Sequence, residues 1–275
     1  MNEKLLSQIG QILEELRRKK PLIHHLTNYV TVNDCANIVL AIGASPIMAD
    51  DIEEVETITA LASALVLNIG TLNQRTITSM VAAGKKANQK NIPVILDPVG
   101  AGASELRNRT VARLLEQIRI DVLRGNMSEI RFISGLEASA KGVDASENDI
   151  ANSDKSGMEI AKNLAQKLNC VVAITGATDL ISNGKCSLYI LNGHPMLSRV
   201  TGTGCMSTSL VGAFAGVTTD FFLAASAGII SMGIAGEIAF AQAGSKGTGS
   251  FHTAIIDSIS ELDDKKIAKM AKIHD

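Results

Sequence analysis

The sequence predicts an α/β fold: a mostly parallel sheet sandwiched by helices, with antiparallel edge strands near 179–192. Two observations predict it. Short apolar runs, ALVLNIG (64–70), VILDPV (94–99), DVLRGN (121–126) and VVAITG (171–176), alternate with amphipathic stretches at helical spacing. Parallel strands covered on both faces read this way. Composition agrees: 46% of the 275 residues are hydrophobic, only 3% are aromatic and none is Trp, so the core is Ala, Val, Ile, Leu and Met.

The elements follow in order. Leu5, Ile9, Ile12, Leu13 and Leu16 recur among Glu, Gln, Arg and Lys, predicting an amphipathic first helix closed by Pro21. LIHHLTN reads as a short strand entering a polar turn. Thr31 or Asn33 can cap a second helix through Val39 to Ile42, ended by Gly43, and SPIMAD gives another short apolar run. A helix over 51–62 leads to strand 64–70, a helix over 73–89 to strand 94–99, and a helix over 105–119 to strand 121–126. After a less regular stretch, a helix over 156–168 leads to strand 171–176. DLISNG, a turn at Gly184 and KCSLYILNGHP read as a hairpin or antiparallel edge strands. Two small-residue helices (204–216 and 220–243), a polar loop GSKGTG and a last helical pair complete the chain. No repeat, low-complexity tract or linker interrupts it, so 1–275 reads as a single domain.

Charge and cysteine usage narrow the function. A formal charge of −2 gives no electrostatic case for nucleic acid or an anionic membrane. The cysteines at 35, 170, 186 and 205 form no CxxC pair and no zinc-like spacing, so they read as reduced thiols of a cytoplasmic protein. The N-terminus alternates charged and apolar residues, unlike a signal peptide. Phe221 to Gly236 is uncharged but shorter than the roughly 20 apolar residues a span needs, and it meets Glu237, so it reads as a buried core helix.

Ligands of open parallel sheets bind outside the carboxyl ends of the strands. Four such ends, Asn68-Ile69-Gly70, Asp97-Pro98, Arg124-Gly125-Asn126 and Thr175-Gly176, should share one rim. The turn Thr201-Gly202-Thr203-Gly204-Cys205 lets backbone amides converge, and the helix after it aims its positive end at the same point, an anion-binding design. The same field is expected to acidify the Cys205 thiol. Asp97 and Glu129 are candidate Mg²⁺ ligands, Mg²⁺ being held by one or two carboxylates plus phosphate oxygens. Taken singly, Asp97 is an ordinary strand-end carboxylate and Glu129 an ordinary acid in a helix's first turn. Arg124 can clamp a phosphate or make a rim salt bridge; Thr175 can contact a nucleotide or cap a helix. His24 and His25 point to opposite faces of a strand, so they cannot share a metal; one is expected in the core and one at the surface. The chain has neither GxxxxGK[ST] nor GxSxG, and Gly202-Thr203-Gly204 is followed by Ser207 where a dinucleotide fingerprint needs glycine. A cysteine nucleophile with a distant histidine stays open, but it leaves the carboxylates without a role.

Eight segments, in order and spread over nearly the whole chain, carry a resemblance. They are LTNYVTVNDCAN (26–37), GASPIMA (43–49), LNIGTL (67–72), VILDPVGAGAS (94–104), LRGNMSEI (123–130), KGVDA (141–145), VAITGATD (172–179) and VTGTGCMSTSLVGAF (200–214). Together they resemble hydroxyethylthiazole kinase, of the ribokinase-like superfamily. The resemblance implies ATP- and Mg²⁺-dependent phosphorylation of the hydroxyl of 4-methyl-5-(2-hydroxyethyl)thiazole, a thiamine salvage step, by a homotrimer with the thiazole site at a subunit boundary. It implies that Met48 and Gly202 contact the thiazole with Asn28 nearby. It places Arg124 and Thr175 on ATP, and Asp97, Glu129 and Asn126 in the Mg²⁺ and phosphate group. Cys205 stands where most ribokinase-like enzymes have an aspartate base, and with the amides of Gly202, Thr203 and Gly204 it would form the anion hole. Two alternatives are a related kinase for a hydroxymethylpyrimidine or pyridoxal-like alcohol, and a non-catalytic ligand-binding protein on the same fold.

Overall fold

The computed structural model describes residues 2–136 and 147–275; KGVDA (141–145) lies outside them. Helix α1 (Asn2–Lys19) precedes β1 (Leu22–Leu26), α2 (Val32–Ile42) and β2 (Ser45–Met48). The repeating part runs α3 (Val55–Leu61), β3 (Ala64–Asn68), α4 (Gln74–Lys90), β4 (Val94–Asp97), α5 (Glu105–Gln117), β5 (Val122–Asn126), α6 (Met127–Ser134), α7 (Glu147–Leu168) and β6 (Val171–Thr175). The chain then forms β7 (Asp179–Ser182), β8 (Ser187–Ile190), α8 (Thr203–Ala215), α9 (Phe221–Ala243), α10 (Thr248–Ser260), α11 (Asp264–Met270) and β9 (Ile273–His274).

One sheet takes the order β2-β1-β3-β4-β5-β6-β7-β8-β9. The six strands β2 to β6 pair in parallel, and β7, β8 and β9 extend the sheet antiparallel. Helices bury both faces. Ala64 and Val66 of β3 enter one core with α1, α2, α8, α9 and α10, while Leu65 and Leu67 enter the opposite core with α4, α5 and α7. The period-2 alternation is therefore invisible as hydropathy, because both directions are apolar.

That double burial corrects the reading of the two histidines. His24 and His25 do face opposite ways, yet both are buried. His24 bonds Thr59 Oγ1 at 3.0 Å and Ala49 O at 2.8 Å, and His25 Nδ1 donates to Ile23 O at 3.1 Å. Burial lowers both pKa values, that of His25 to about 4. Two boundaries also move: α3 begins at Val55 rather than at 51, after a turn, and α7 begins at Glu147 rather than at 156.

The small-residue helices occupy the core. By length and composition Phe221–Lys246 is the one membrane-length helix among the described residues, but 78% of its apolar window is buried inside the fold. Its glycine content has a packing reason: a Cβ on Gly228 would stand 2.6 Å from the Val211 backbone nitrogen. α9 thus lies directly on the backbone of α8. Neither helix has a polar face, as fits elements enclosed all round.

Candidate active site

The parallel register puts the strand ends on one rim: Asn68 pairs with Asp97, and Asn126 with Thr175. α8 points its N-terminus at this rim. Gly202 caps it with φ 88°, and the first intrahelical bond runs from Met206 N to Gly202 O at 2.8 Å. The amides of Thr203, Gly204 and Cys205 precede that bond, so the helix offers them outward. A side chain at 202 would meet Thr31 Cγ2 at 2.9 Å and Asp34 Oδ2 at 3.1 Å, so position 202 needs glycine for space as well as for φ.

Asp97 is the hub. Its Oδ2 accepts from Thr208 Oγ1 at 2.7 Å and Asn68 Nδ2 at 3.0 Å, and Arg124 Nη1 lies 3.5 Å away. Thr208 sits one turn into α8, so this carboxyl ties α8 to β4. Its other oxygen, Oδ1, is buried without a hydrogen-bond partner. Burial raises the Asp97 pKa and the nearby Glu129 adds to the rise, while Arg124, Thr208 and Asn68 oppose it. Arg124 also donates through Nη2 to Thr175 Oγ1. Gly204 packs on its guanidinium, and a Cβ there would stand 2.8 Å from Nη1.

Cys205 faces a second polar chain. Asn28 Nδ2 and Asn68 Nδ2 approach its Sγ at 3.3 and 3.2 Å, and Asn28 Nδ2 also donates to Asn68 Oδ1 at 3.0 Å. Thr31, through its backbone N–H and its hydroxyl, fixes the Asn28 carbonyl at 3.1 Å. The expected acidification of the thiol is reversed. Burial raises its pKa, the charge of Asp97 raises it further, and the bonds from Thr31, Asn28 and Asn68 only partly offset this. Desolvation and a neighbouring carboxylate both disfavour the thiolate, opposite to the sense in which a helix N-terminus acts.

Two cavities meet this rim. The larger, about 500 Å³, is lined by Arg124, Thr175, Asp179, His194, Thr203 and Gly204 among others. The smaller, about 260 Å³, is lined by His25, Thr27, Tyr29, Met48, Asp50 and Thr71 among others. Met48, Arg124, Thr175, Thr203 and Gly204 thus line cavities; Asn28 adjoins Thr27 and Tyr29 of the smaller one, and Gly202 and Cys205 flank Thr203 and Gly204 of the larger. Asn126 and Glu129 are not among those lining residues. They form a reciprocal capping box on α6: Asn126 Oδ1 accepts from Glu129 N at 2.9 Å, and Glu129 Oε2 accepts from Asn126 N at 2.7 Å. Glu129 Oε1 accepts from Gly100 N at 2.8 Å, holding the VGAGA turn beside β5.

A divalent cation fits this chemistry at Asp97, whose Oδ1 lone pairs are unmatched, better than at Glu129, whose oxygens already accept backbone amides. Among the described residues no three His, Cys, Asp or Glu side chains cluster for a metal. A site completed by phosphate oxygens and water does not need such a cluster.

Several working residues escaped the sequence reading. Asn68 reads in the sequence only as part of a strand ending, Thr208 lies inside an apolar helix, and NGHP reads as the end of an edge strand. NGHP before a short 3₁₀ turn, Pro195–Arg199, was a turn signal, but no local pattern placed it on the cavity.

The hydroxyethylthiazole kinase family model matches residues 13–265. The chain is 64% identical over 273 residues to a hydroxyethylthiazole kinase of Clostridium beijerinckii, covering 99% of both chains. It is 62% identical to one of Ruminiclostridium cellulolyticum, covering 98% of this chain and 97% of the other. Among solved structures, hydroxyethylthiazole kinase of Pyrococcus horikoshii superposes with a TM-score of 0.88 at 38% identity, covering 98% of each chain. Pyridoxal kinase of Bacillus subtilis, solved as an ADP complex, covers 76% of this chain and 88% of its own with a TM-score of 0.56 at 18% identity, which shows a shared ribokinase-like fold. With its parallel sheet, antiparallel edge and near full-length identity to these relatives, the chain belongs to the hydroxyethylthiazole kinase family.

Proposed function

We infer that the two cavities and the turn between them carry out this family's reaction, transfer of the γ-phosphoryl group of ATP to the hydroxyl of 4-methyl-5-(2-hydroxyethyl)thiazole, a step of thiamine salvage. One observation carries the assignment: a single turn lines the larger cavity and packs on the segment that lines the smaller one. Thr203 and Gly204 line the larger one. Gly202 packs on Thr31, and Cys205 on Asn28, within the 27–32 segment whose Thr27, Tyr29 and Val32 line the smaller one. A donor in the larger cavity and an alcohol in the smaller would meet at the Gly202–Cys205 amides.

The roles follow from chemistry. Arg124 and Thr175 hold the donor's phosphates, Arg124 as a charge-assisted donor. Met48 and Gly202 shape the thiazole pocket, and Asn28 holds the wall between. Asp97 supplies the free carboxylate oxygen for Mg²⁺. Glu129 stands behind it, fixing the VGAGA turn and the start of α6 with Asn126, and adds negative potential. Bound Mg²⁺ neutralises charge on the donor's phosphate oxygens. In a loose phosphoryl-transfer transition state the acceptor hydroxyl loses its proton late, so alignment and charge neutralisation dominate. Cys205 is a thiol in the resting enzyme, so it takes the acceptor's proton only in its minor thiolate form, a weak and late base; from the thiol form the proton leaves instead on an oxygen of the transferred phosphoryl group. The amides of Gly202 to Cys205 stabilise the charge on the transferring group.

The whole chain, 1–275, works in this reading as one cytoplasmic kinase domain, assembled as a homotrimer with the thiazole pocket completed at a subunit boundary. The exposed Tyr29, beside the smaller cavity, supports that boundary. Incubation with ATP, Mg²⁺ and a panel of the thiazole alcohol, hydroxymethylpyrimidine and pyridoxal tests the reaction. Turnover of the thiazole alcohol is expected; turnover of the pyrimidine alone, or of none, would sink the assignment. A native mass near three chains of 29.0 kDa is expected for the trimer, and a monomer would remove the shared pocket.

A further inference from the structure

We propose that His194 reads the base of the phosphoryl donor, donating a hydrogen bond from Nε2 to a ring nitrogen of the purine. The proposal rests on the larger cavity being the donor site. His194 lines that cavity together with Arg124 and Thr175. Its Nδ1 accepts the backbone N–H of Met196 at 3.1 Å, capping the 3₁₀ turn that follows. A backbone amide can only donate, so Nδ1 carries no proton and the neutral ring holds its hydrogen on Nε2. The tautomer is thereby fixed. The ring plane is fixed too, because the imidazole stacks on Phe240 with centroids 3.5 Å apart and planes 18° apart. The side chain is a preorganised donor at the cavity wall.

Its neighbours leave this task to it. Asn192 spends its amide on Glu237 Oε1 at 3.0 Å and Met270 O at 2.8 Å, and its carbonyl accepts from Lys272 N at 2.7 Å. Ser198 donates to Pro195 O at 2.8 Å. Leu197, Ile229 and Met232 give an apolar wall suited to a flat ring. Adenine carries acceptor nitrogens at N1, N3 and N7, and one of them can meet the imidazole N–H. The hydrogen bond thus fixes which edge of the base enters, and selects donors that carry an acceptor there.

The test uses the whole enzyme and the thiazole alcohol, comparing kcat/KM for ATP with that for 1-deaza-, 3-deaza- and 7-deaza-ATP. One analogue is expected to fall about five- to tenfold below ATP, the size of one lost neutral hydrogen bond. His194→Phe keeps the stack on Phe240 and should lower kcat/KM for ATP by a similar factor, flatten the analogue series, and leave KM for the thiazole alcohol unchanged. All three analogues within about twofold of ATP in the wild type, well inside one hydrogen bond, would overturn the proposal. So would a His194→Phe enzyme that keeps the same single deficit. If that variant does not fold, the wild-type series alone decides. Thr175→Val separates the two levels of the argument. If it leaves KM for ATP unchanged, the cavity itself is misassigned; if it raises KM while the analogue series stays flat, only the role of His194 falls.

Discussion

Gly204→Ala should damage donor use while sparing the fold. The added methyl would stand 2.8 Å from Arg124 Nη1, 3.1 Å from Nη2 and 3.4 Å from Cζ. The guanidinium is the far end of a flexible side chain, so the clash is relieved by moving it rather than the backbone. Arg124 is not free to move without loss, because Nη1 lies 3.5 Å from Asp97 Oδ2 and Nη2 donates to Thr175. Displacement forfeits a charge-assisted hydrogen bond to phosphate, about 2 kcal/mol, or roughly 30-fold in kcat/KM for ATP. Stability moves the other way: Gly204 lies in the first turn of α8 without a positive φ, and alanine there gains at most about 1 kcal/mol of helix propensity. Steady-state kinetics with both substrates varied, beside thermal unfolding, makes the test. The expected result is an unchanged or slightly higher Tm, an unchanged KM for the thiazole alcohol and a large loss for ATP. A variant with wild-type kcat/KM for ATP would refute the placing of Arg124 on the donor's phosphates.

Cys205→Ser should lower kcat about tenfold or more while KM for ATP stays near wild type, the signature of an interaction made in the transition state; full kcat would leave Cys205 only a space-filling role. Asp179, whose pKa burial raises to about 7 against the Gly176 N–H bond and the Arg124 charge, contributes stability that is complete below its unfolded pKa near 3.8 and lost as pH rises through 7. Asp179→Asn should therefore match wild-type stability near pH 4 and exceed it at pH 8 by up to about 4 kcal/mol, read by denaturant unfolding; equal pH dependence of the two proteins would contradict this. Gly228→Ala should cost about 1–3 kcal/mol of stability by forcing α9 off the Val211 backbone, with kcat kept in the folded fraction; an unchanged midpoint in denaturant would show that the helices separate freely.

The strands were legible because burial on both faces makes them continuous apolar runs with polar ends, and the ends define the rim. Burial on both faces is also what misled the reading of His24 and His25, since alternation implies a solvent face only when the sheet has one. Asp97, Arg124 and Thr175 could be placed from the sequence because each terminates or nearly terminates a strand. Asn68 shared that position, but its work lies in contacts to residues 28, 97 and 205, and no local pattern encodes them. Glu129 reads as a candidate metal ligand, and its capping box with Asn126, three residues earlier, is a second signal present in the sequence. The thiol pKa was misjudged because the helix end is visible in sequence and the carboxyl across the rim is not.

That misjudgement has a consequence for why a thiol stands at position 205. An aspartate there would add a carboxylate to a place where Asp97 is fully buried and Glu129 nearly so. Each of these acids disfavours the charge of the next, since like charges at short range in a desolvated site do not both ionise at ordinary pH. The charge of Asp97 already acts on Cys205 in this sense. A neutral thiol accepts two amide N–H groups from Asn28 and Asn68 without adding charge. Asn68 then binds the carboxyl and the sulfur with one amide nitrogen, linking Asp97 to Cys205. In the proposed mechanism the enzyme forgoes a strong base at 205 and reserves the Asp97 carboxylate for the cation. Its rate should accordingly depend more on Arg124 and the amides of 202–205 than on the proton affinity of residue 205, so Arg124→Ala should cost kcat/KM more than Cys205→Ser does.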